Sequence, residues 1–174
     1  MTRPIQATIR TRDDDDGEAG EVRASDFREA VARWASGVAV LAARDGDEVE
    51  AITLTAFTPL SASPPLVLAC VGNEAAVLYV LEEAGSFTLN LLAADDRRVA
   101  SDFAQRMPVS PGRFTEGDPV LRGAIVSLVC DVWETHPGGD HRVVIGRVRR
   151  IVTGEEADPL LYYHREYRAL AAPR

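Results

Sequence analysis

The chain of 174 residues contains no lysine, so all of its 19 basic residues are arginine. Without lysine it can neither form the Schiff base of an imine-forming enzyme nor supply the phosphate-binding lysine of a P-loop. No G-x-G-x-x-G motif follows a predicted strand, and G-x-S-x-G is missing. A Rossmann dinucleotide site and the nucleophile elbow of a hydrolase are therefore not expected.

Long apolar runs, cysteines and histidines are also scarce. No apolar run approaches the roughly 20 residues that a membrane-spanning helix requires, so we expect no membrane partner. The first residues lack the apolar core of a signal peptide, which favours a cytoplasmic location. The two cysteines, Cys70 and Cys130, lie in apolar, strand-like runs and are predicted to be buried free thiols. Because His136, His141 and His164 lack metal-ligand spacing, no metal site is expected.

Acidic residues outnumber basic ones. The formal net charge is −8, which argues against a nucleic acid partner because no basic stripe is available to contact phosphates. Part of this acidity is local, in Asp13 to Asp16, Glu18 and Glu21. We predict that residues 1–22 form a disordered acidic tail and that residues 23–174 form a single domain. A functional role for the tail stays open.

The hydrophobic pattern predicts a few helices between short strands. Helices are predicted over residues 26–35, 73–83 and 94–105. Ser25 and Asn73 are the expected N-caps of the first two helices, and Gly85 is expected to end the second. Trp34 is expected on the buried face of the first helix.

Six strands are predicted, over residues 38–43, 48–55, 66–71, 86–92, 124–134 and 141–152. The last two form a long hairpin, which disfavours a parallel sheet with crossover helices. We therefore expect a mainly β fold, in which a small antiparallel barrel has its helices packed outside.

The segment TLTAFTPLSASPP at residues 53–65 is the most informative part of the chain. A double proline cannot continue a helix, and we predict a loop that ends just before the strand at 66–71. Such a loop can bring backbone N–H groups and short hydroxyls close to a flat, anionic ligand. An ordinary turn rich in serine, threonine and proline is the alternative.

Six short motifs occur in a fixed order along the chain. They are FREA at 27–30 with SGVAVL at 36–41, the segment 53–65, FTLNLL at 87–92, FA at 103–104, GDH at 139–141 with IGRV at 145–148, and PLLYYHREY at 159–167. Together they resemble the flavin reductase-like family with the FMN-binding split barrel. The resemblance covers about residues 23–170 and implies an antiparallel Greek-key split barrel with flanking helices.

Members of this family are typically homodimeric NAD(P)H:flavin oxidoreductases. The resemblance therefore implies hydride transfer from NADH or NADPH to FMN or FAD, with the cofactor supplying the chemistry. It also implies a separate flavin-dependent monooxygenase as the partner that receives reduced flavin. The competing hypothesis is a split-barrel protein that has lost productive flavin binding and serves a non-redox reaction or a binding role.

The same resemblance assigns roles to individual residues. His141 is the expected catalytic residue near the nicotinamide, and a turn histidine bonded to its own hairpin is the alternative. The residues expected to bind the cofactor are Thr53, Leu54, Thr55, Ala56, Pro59, Leu60, Ser61, Cys70 and Phe103. Asn90, in contrast, is expected to satisfy backbone groups at a strand position, and flavin contact is the alternative.

Several positions depart from the family pattern. Pro59 stands where a serine is usual and removes a hydroxyl and a backbone N–H together. Asn73, Glu74 and Val77 occupy positions that help to hold the phosphate and ribityl chain in the family, and Glu74 opposes a phosphate there. We therefore expect flavin to bind weakly and to act as a substrate. The arginines that are candidates to compensate are Arg97, Arg98, Arg106 and Arg113.

Overall fold

The computed structural model describes residues 22–105 and 109–171, which contain three α-helices, one short 3-10 helix and ten strands. The helices are α1 (Ala24–Val31), α2 (Ala76–Ala84) and α3 (Arg97–Ala104), and the 3-10 helix is Pro111–Arg113. The strands are β1 (Ser36–Gly37), β2 (Ala39–Asp45), β3 (Glu48–Leu54), β4 (Phe57–Ala62), β5 (Pro65–Gly72), β6 (Ser86–Leu91), β7 (Val126–Gly138), β8 (His141–Thr153), β9 (Leu161–Tyr163) and β10 (Glu166–Arg168). Residues 1–21 of the predicted acidic tail lie outside the described residues. None of these helices is long and apolar enough to cross a membrane.

Seven strands form one antiparallel sheet in the order β3-β2-β6-β7-β8-β5-β4. The two edge strands, β3 and β4, are consecutive in the chain and are joined by Thr55 and Ala56 alone. The sheet therefore curls until its two edges approach each other. A smaller antiparallel sheet, β1-β9-β10, is connected to it through Val38. The predicted mainly β, antiparallel architecture is confirmed.

Strand β2 is buried on both faces and separates two apolar clusters. Its residues 39, 41 and 43 point into an inner cluster, which α2 completes with Val77 and Leu81. Its residues 40 and 42 point into an outer cluster, which contains Phe103 of α3 and Phe114. Because side chains alternate across a strand, one continuous apolar run supplies both clusters.

Helix α1 differs from the prediction at its start and on its apolar face. Arg23 is the N-cap residue, and Ser25 lies inside the helix, so the predicted Ser25 cap is wrong. Trp34, predicted to be in the core, is 77% exposed, and Phe27 is 59% exposed. The helix also ends at Val31, four residues before the predicted end at Ala35, so Trp34 lies in the turn that follows the helix. No other element of the described chain covers these side chains.

Helix α2 begins later than predicted and ends where predicted. Its N-cap residue is Ala75, so the predicted Asn73 cap is wrong. Gly85 ends the helix in the left-handed conformation, with φ of 64°, as a C-terminal glycine does. Asn73 is therefore free of the capping role and makes other contacts.

Most of the segment predicted to be a loop is strand β4, which is a correction. It pairs with β5 along its length, with a bulge between Pro59 and Ser61. Proline is tolerated there because β4 is an edge strand, and no other strand among the described residues lies on its outer side to accept an N–H. The chain then reverses at Ser63 and Pro64, which are joined by a cis peptide bond.

Buried Asn90 ties the loop that follows the 3-10 helix to the sheet. Its Nδ2 donates to the Val40 carbonyl at 3.1 Å. Its Oδ1 accepts from the Leu121 N–H at 2.9 Å and from the Ser127 hydroxyl at 2.7 Å. The prediction that Asn90 satisfies backbone groups at a strand position is confirmed, as the hydrogen-bonding needs of buried polar atoms require.

Candidate active site

His141 begins β8 immediately after the tight turn of the β7–β8 hairpin. Gly138 pairs with His141 across that hairpin, so Gly139 and Asp140 form a two-residue loop. Gly139 has a φ of 71°, which glycine adopts without strain at the first central position of such a turn. On its other side His141 pairs with Gly72, the last residue of β5. The imidazole is therefore exposed at the end of β5.

The Asp140 carboxylate contacts the His141 ring directly. The Nδ1 of His141 lies 2.6 Å from Oδ1 of Asp140. This hydrogen bond, together with the charge of His141, lowers the pKa of Asp140 below its ordinary value, and Arg28 of α1 lowers it further. Asp140 is thus ionised at neutral pH and fixes which ring nitrogen of His141 faces the turn. The sequence pattern contained no sign that Arg28 lies near this pair.

Asn73 joins the connection between β5 and α2 to the same turn. Its side-chain Nδ2 donates to the carbonyl of Gly139 at 3.1 Å. Its backbone N–H donates to the carbonyl of Asp140, also at 3.1 Å. The contact of Asn73 with this turn was not predicted, because its position just before a helix indicated a cap.

The link between β3 and β4 lies at the same end of β5. The N–H of Cys70 donates to the carbonyl of Ala56 at 2.8 Å, two residues before Gly72. From strand spacing and rise, the Cα atoms of Ala56 and His141 are about 12 Å apart. Thr55 and Ala56, both predicted to contact the cofactor, therefore lie at the same end of β5 as His141.

Thr53 and Leu54 point to opposite faces of β3. The Thr53 hydroxyl donates to the carbonyl of Ala100 in α3 at 2.7 Å. Leu54 is buried in the inner cluster. The alternation of a strand explains this separation, and it makes Thr53 the residue that holds α3 against β3.

The other predicted cofactor residues are dispersed. Pro59 and Leu60 are exposed on β4. Ser61 is paired with Leu66 at the far end of β5, where its hydroxyl accepts from the Ser63 N–H at 3.2 Å. These positions form an extended edge that leads away from His141.

Phe103 and the two cysteines are mostly enclosed. Phe103 is buried in the outer cluster, with its ring centroid 5.7 Å from that of Phe114. Cys130 is buried, and this burial raises the pKa of its thiol to about 12. Cys70 is half-buried. Both cysteines are free, as predicted, although Cys70 is less buried than expected.

The histidines do not converge on a common point. His136 contacts the Glu134 carboxylate at 3.0 Å, and His164 lies with its ring edge against Tyr163. Within residues 22–105 and 109–171, no group of three or more His, Cys, Asp or Glu side chains could hold a metal ion.

A model of the flavin reductase like domain matches residues 31–171. The chain belongs to the flavin reductase-like family. It is 46% identical, over 147 residues, to the reductase component of 4-hydroxyphenylacetate 3-monooxygenase from Thermus thermophilus, covering 84% of this chain and 97% of that protein. It is 35% identical, over 157 residues, to an NADH-dependent flavin reductase from Rhodococcus sp., covering 86% of this chain and 88% of that protein.

The fold of this family member agrees with solved structures. Flavin reductase PheA2 in its native state superimposes with a TM-score of 0.80 at 32% identity, covering 86% of this chain and 99% of that chain. The predicted family and the predicted antiparallel split barrel are therefore confirmed.

In this flavin reductase-like protein, replacing Thr53 by valine is expected to reduce the free energy of unfolding by about 1 kcal/mol, because the carbonyl of Ala100 loses its donor. Denaturant unfolding measures this loss. Thr53→Ser should retain most of the stability, and Thr153→Val, at an exposed strand end, is the matched control. Equal stabilities for Thr53→Val and the unmodified chain would contradict the assignment.

Proposed function

We propose that this chain is an NAD(P)H-dependent flavin reductase that supplies reduced FMN or FAD to a separate monooxygenase. The most direct support is that the His141 turn and the link of Thr55 and Ala56 meet at one end of β5, in a chain of the flavin reductase-like family. The relative named as an NADH-dependent flavin reductase favours NADH as the donor. The relative named as a monooxygenase reductase component favours the separate partner. The alternative without flavin chemistry receives no support from these relatives.

The chemical groups near this end of β5 suit the ring and the ribityl chain of a flavin. Thr55 offers a hydroxyl, and edge strand β4 has uncharged backbone groups on the side that no strand pairs. Farther along the same edge, toward the start of β5, exposed Pro59 and Leu60 add apolar surface for a flat ring. When bound, the flavin supplies the electron-accepting ring and the nicotinamide supplies the hydride. The residues of the protein align the two rings and exclude water.

The phosphate of FMN fits this surface less well. Glu74 is exposed beside Asn73, and the nearby Asp140 is ionised, so both add negative charge to this side. Of the arginines predicted to compensate, Arg113 pairs with Asp102 at 3.0 Å, and Arg106 lies outside the described residues. Arg97 and Arg98 remain, exposed in the first turn of α3. We therefore propose that flavin binds weakly and exchanges as a substrate.

We propose that His141 orients the nicotinamide. Its Nδ1 faces the ionised Asp140, which leaves Nε2 for a ligand. A neutral ring then accepts at Nε2 from the carboxamide N–H, and a protonated ring donates to the carboxamide oxygen. Either arrangement restricts the nicotinamide to fewer orientations, which is how a positioned side chain accelerates transfer.

We further propose that the protein is a cytoplasmic homodimer, with one domain over residues 23–174 that follows an acidic tail. The family match over residues 31–171 supports the single domain, and the free Cys70 and Cys130 agree with a reducing compartment. Both tryptophans are exposed in the single chain, Trp34 at 77% and Trp133 at 47%. Exposed aromatic side chains of this size indicate a surface that is covered in the assembly.

The purified protein is expected to oxidise NADH when FMN or FAD is added and to show little oxidation without flavin. The loss of NADH absorbance measures this rate, and NADPH provides the comparison for donor choice. His141→Ala is expected to lower kcat/KM for NADH by about tenfold while changing the flavin Kd by less than about twofold, because the orienting contact is lost.

His136→Ala is the matched control for His141→Ala, since His136 is exposed in the same hairpin and bonds to Glu134 rather than to the turn. Its kinetics should equal those of the unmodified protein. The absence of both flavin-dependent turnover and flavin binding would contradict the proposed function. If His141→Ala weakens flavin binding more than turnover, then the histidine contacts the flavin instead.

Replacing Glu74 by serine is expected to strengthen FMN binding by about threefold to fivefold, because one negative charge near the phosphate is removed. Riboflavin, which has no phosphate, should bind equally well before and after the change. Quenching of flavin fluorescence measures both affinities, and Glu83→Ser, exposed at the other end of α2, is the control. An equal gain for riboflavin and FMN would show that charge is not the cause.

Replacing Trp34 by glutamate is expected to convert the dimer to a monomer, as measured by sedimentation velocity. Phe27 and Val31 of α1 and Trp34 in the turn after it are all exposed, so a charge inserted at Trp34 must be desolvated when this surface is covered. Gln105→Glu adds the same charge at the exposed residue that follows α3 and should leave the mass unchanged. A Trp34→Glu protein that sediments as a dimer would exclude this face from the interface.

A further inference from the structure

We infer that Asn73 is a positioning residue for hydride transfer, acting through the turn that precedes His141. This inference rests on the proposed function, because it assigns Asn73 a part in the reaction that His141 is proposed to assist. It differs from the role that the family pattern implies for this position, which is to hold the phosphate of the flavin.

Asn73 makes two contacts with the turn that precedes His141. Its Nδ2 donates to the carbonyl of Gly139 and its backbone N–H donates to the carbonyl of Asp140, each at 3.1 Å. These carbonyls belong to the two central residues of the hairpin turn, whose groups no strand pairing satisfies. Asn73 thus holds two successive peptide groups from outside the hairpin.

Little else in the described chain holds this turn. Residues 136–141 are all exposed, and the Asp140 side chain is 93% exposed. Apolar packing therefore does not restrain this end of the hairpin. The contacts from Asn73, with the pairing of Gly72 to His141, connect the turn to the rest of the sheet.

The peptide groups of the turn connect the contacts of Asn73 to the imidazole of His141. The Asn73 side chain holds the carbonyl of Gly139, which belongs to the peptide group whose nitrogen is that of Asp140. The Asn73 backbone holds the carbonyl of Asp140, which belongs to the peptide group whose nitrogen is that of His141. The Asp140 carboxylate, which contacts Nδ1 of His141, extends from the same residue. Asn73 consequently fixes both the backbone and the side-chain partner that aim the ring.

The side chain at position 73 has to meet a specific chemical requirement. A side chain must donate an N–H to a carbonyl, and an asparagine amide does so without adding charge. Aspartate has the same size but offers only acceptor oxygens when ionised, and it would place a negative charge beside Asp140. Alanine keeps the backbone donor and removes the other.

The test compares Asn73→Ala and Asn73→Asp with Gln105→Ala, which shortens an exposed amide at the end of α3. Flavin-dependent NADH oxidation at saturating flavin should show kcat/KM reduced about threefold to tenfold in both Asn73 variants. In Asn73→Ala, which leaves the charge unchanged, the FMN Kd should change by less than about twofold, and Gln105→Ala should match the unmodified protein. A larger loss in FMN affinity than in turnover in Asn73→Ala would overturn the inference, because it would make Asn73 a flavin ligand.

A double-mutant cycle shows whether Asn73 acts through His141. If it does, Asn73→Ala should have almost no further effect on kcat/KM in the His141→Ala background. The same fold-loss in both backgrounds would mean a general structural role and would overturn the inference.

A spectroscopic measurement needs no turnover and separates this inference from the proposed function. The NMR resonances of the His141 ring, assigned by their loss in His141→Ala, should shift in Asn73→Ala and stay in place in Gln105→Ala. Unchanged His141 resonances in Asn73→Ala would overturn the inference even in an active enzyme. An unmodified protein without flavin-dependent turnover would instead reject the proposed function, whatever the resonances show.

Discussion

The pairing of β5 with β8 is the interaction on which the candidate site depends. It joins residues 69 to 81 positions apart in the chain, from Gly72 with His141 to Leu66 with Arg147. The β4–β5 hairpin holds the proposed flavin-binding edge, and the β7–β8 hairpin holds the proposed catalytic histidine. Without this ladder the two hairpins would have no common end, and the contacts of Asn73 with the turn could not form. The ladder supplies the long-range alignment, and the side chains at its end supply the local geometry.

The parts of the fold that could be predicted are those whose sequence signal is typical of a single structure. The apolar run of β2, the αL glycine at Gly85 and the long β7–β8 hairpin have sequence signals that few alternatives share. Strand β4 was missed because serine, threonine and proline are typical of loops, while pairing with β5 and an edge position make a strand possible. Trp34 was placed in the core because an apolar helical face predicts burial without saying which chain provides the cover.

The site was predictable to the level of segments and not of side chains. The sequence motifs pointed to His141 and to the link at Thr55, and the sheet register brings these two together. The direction of each side chain depends on strand alternation and on neighbours far away in sequence, which is why the hydroxyl of Thr53 meets α3. Arg28 and Asn73 could not be recognised, since their neighbours at Asp140 are more than 60 residues away and no local pattern marks the contact.

The unpaired edge of β4 has a consequence for solubility. An exposed strand edge can recruit a strand from another chain, which is a common start of aggregation. Pro59 offers no N–H to such a strand, and the bulge between Pro59 and Ser61 breaks the regular spacing that an added strand would need. The same proline that departs from the family pattern therefore protects this edge of the sheet from strand addition.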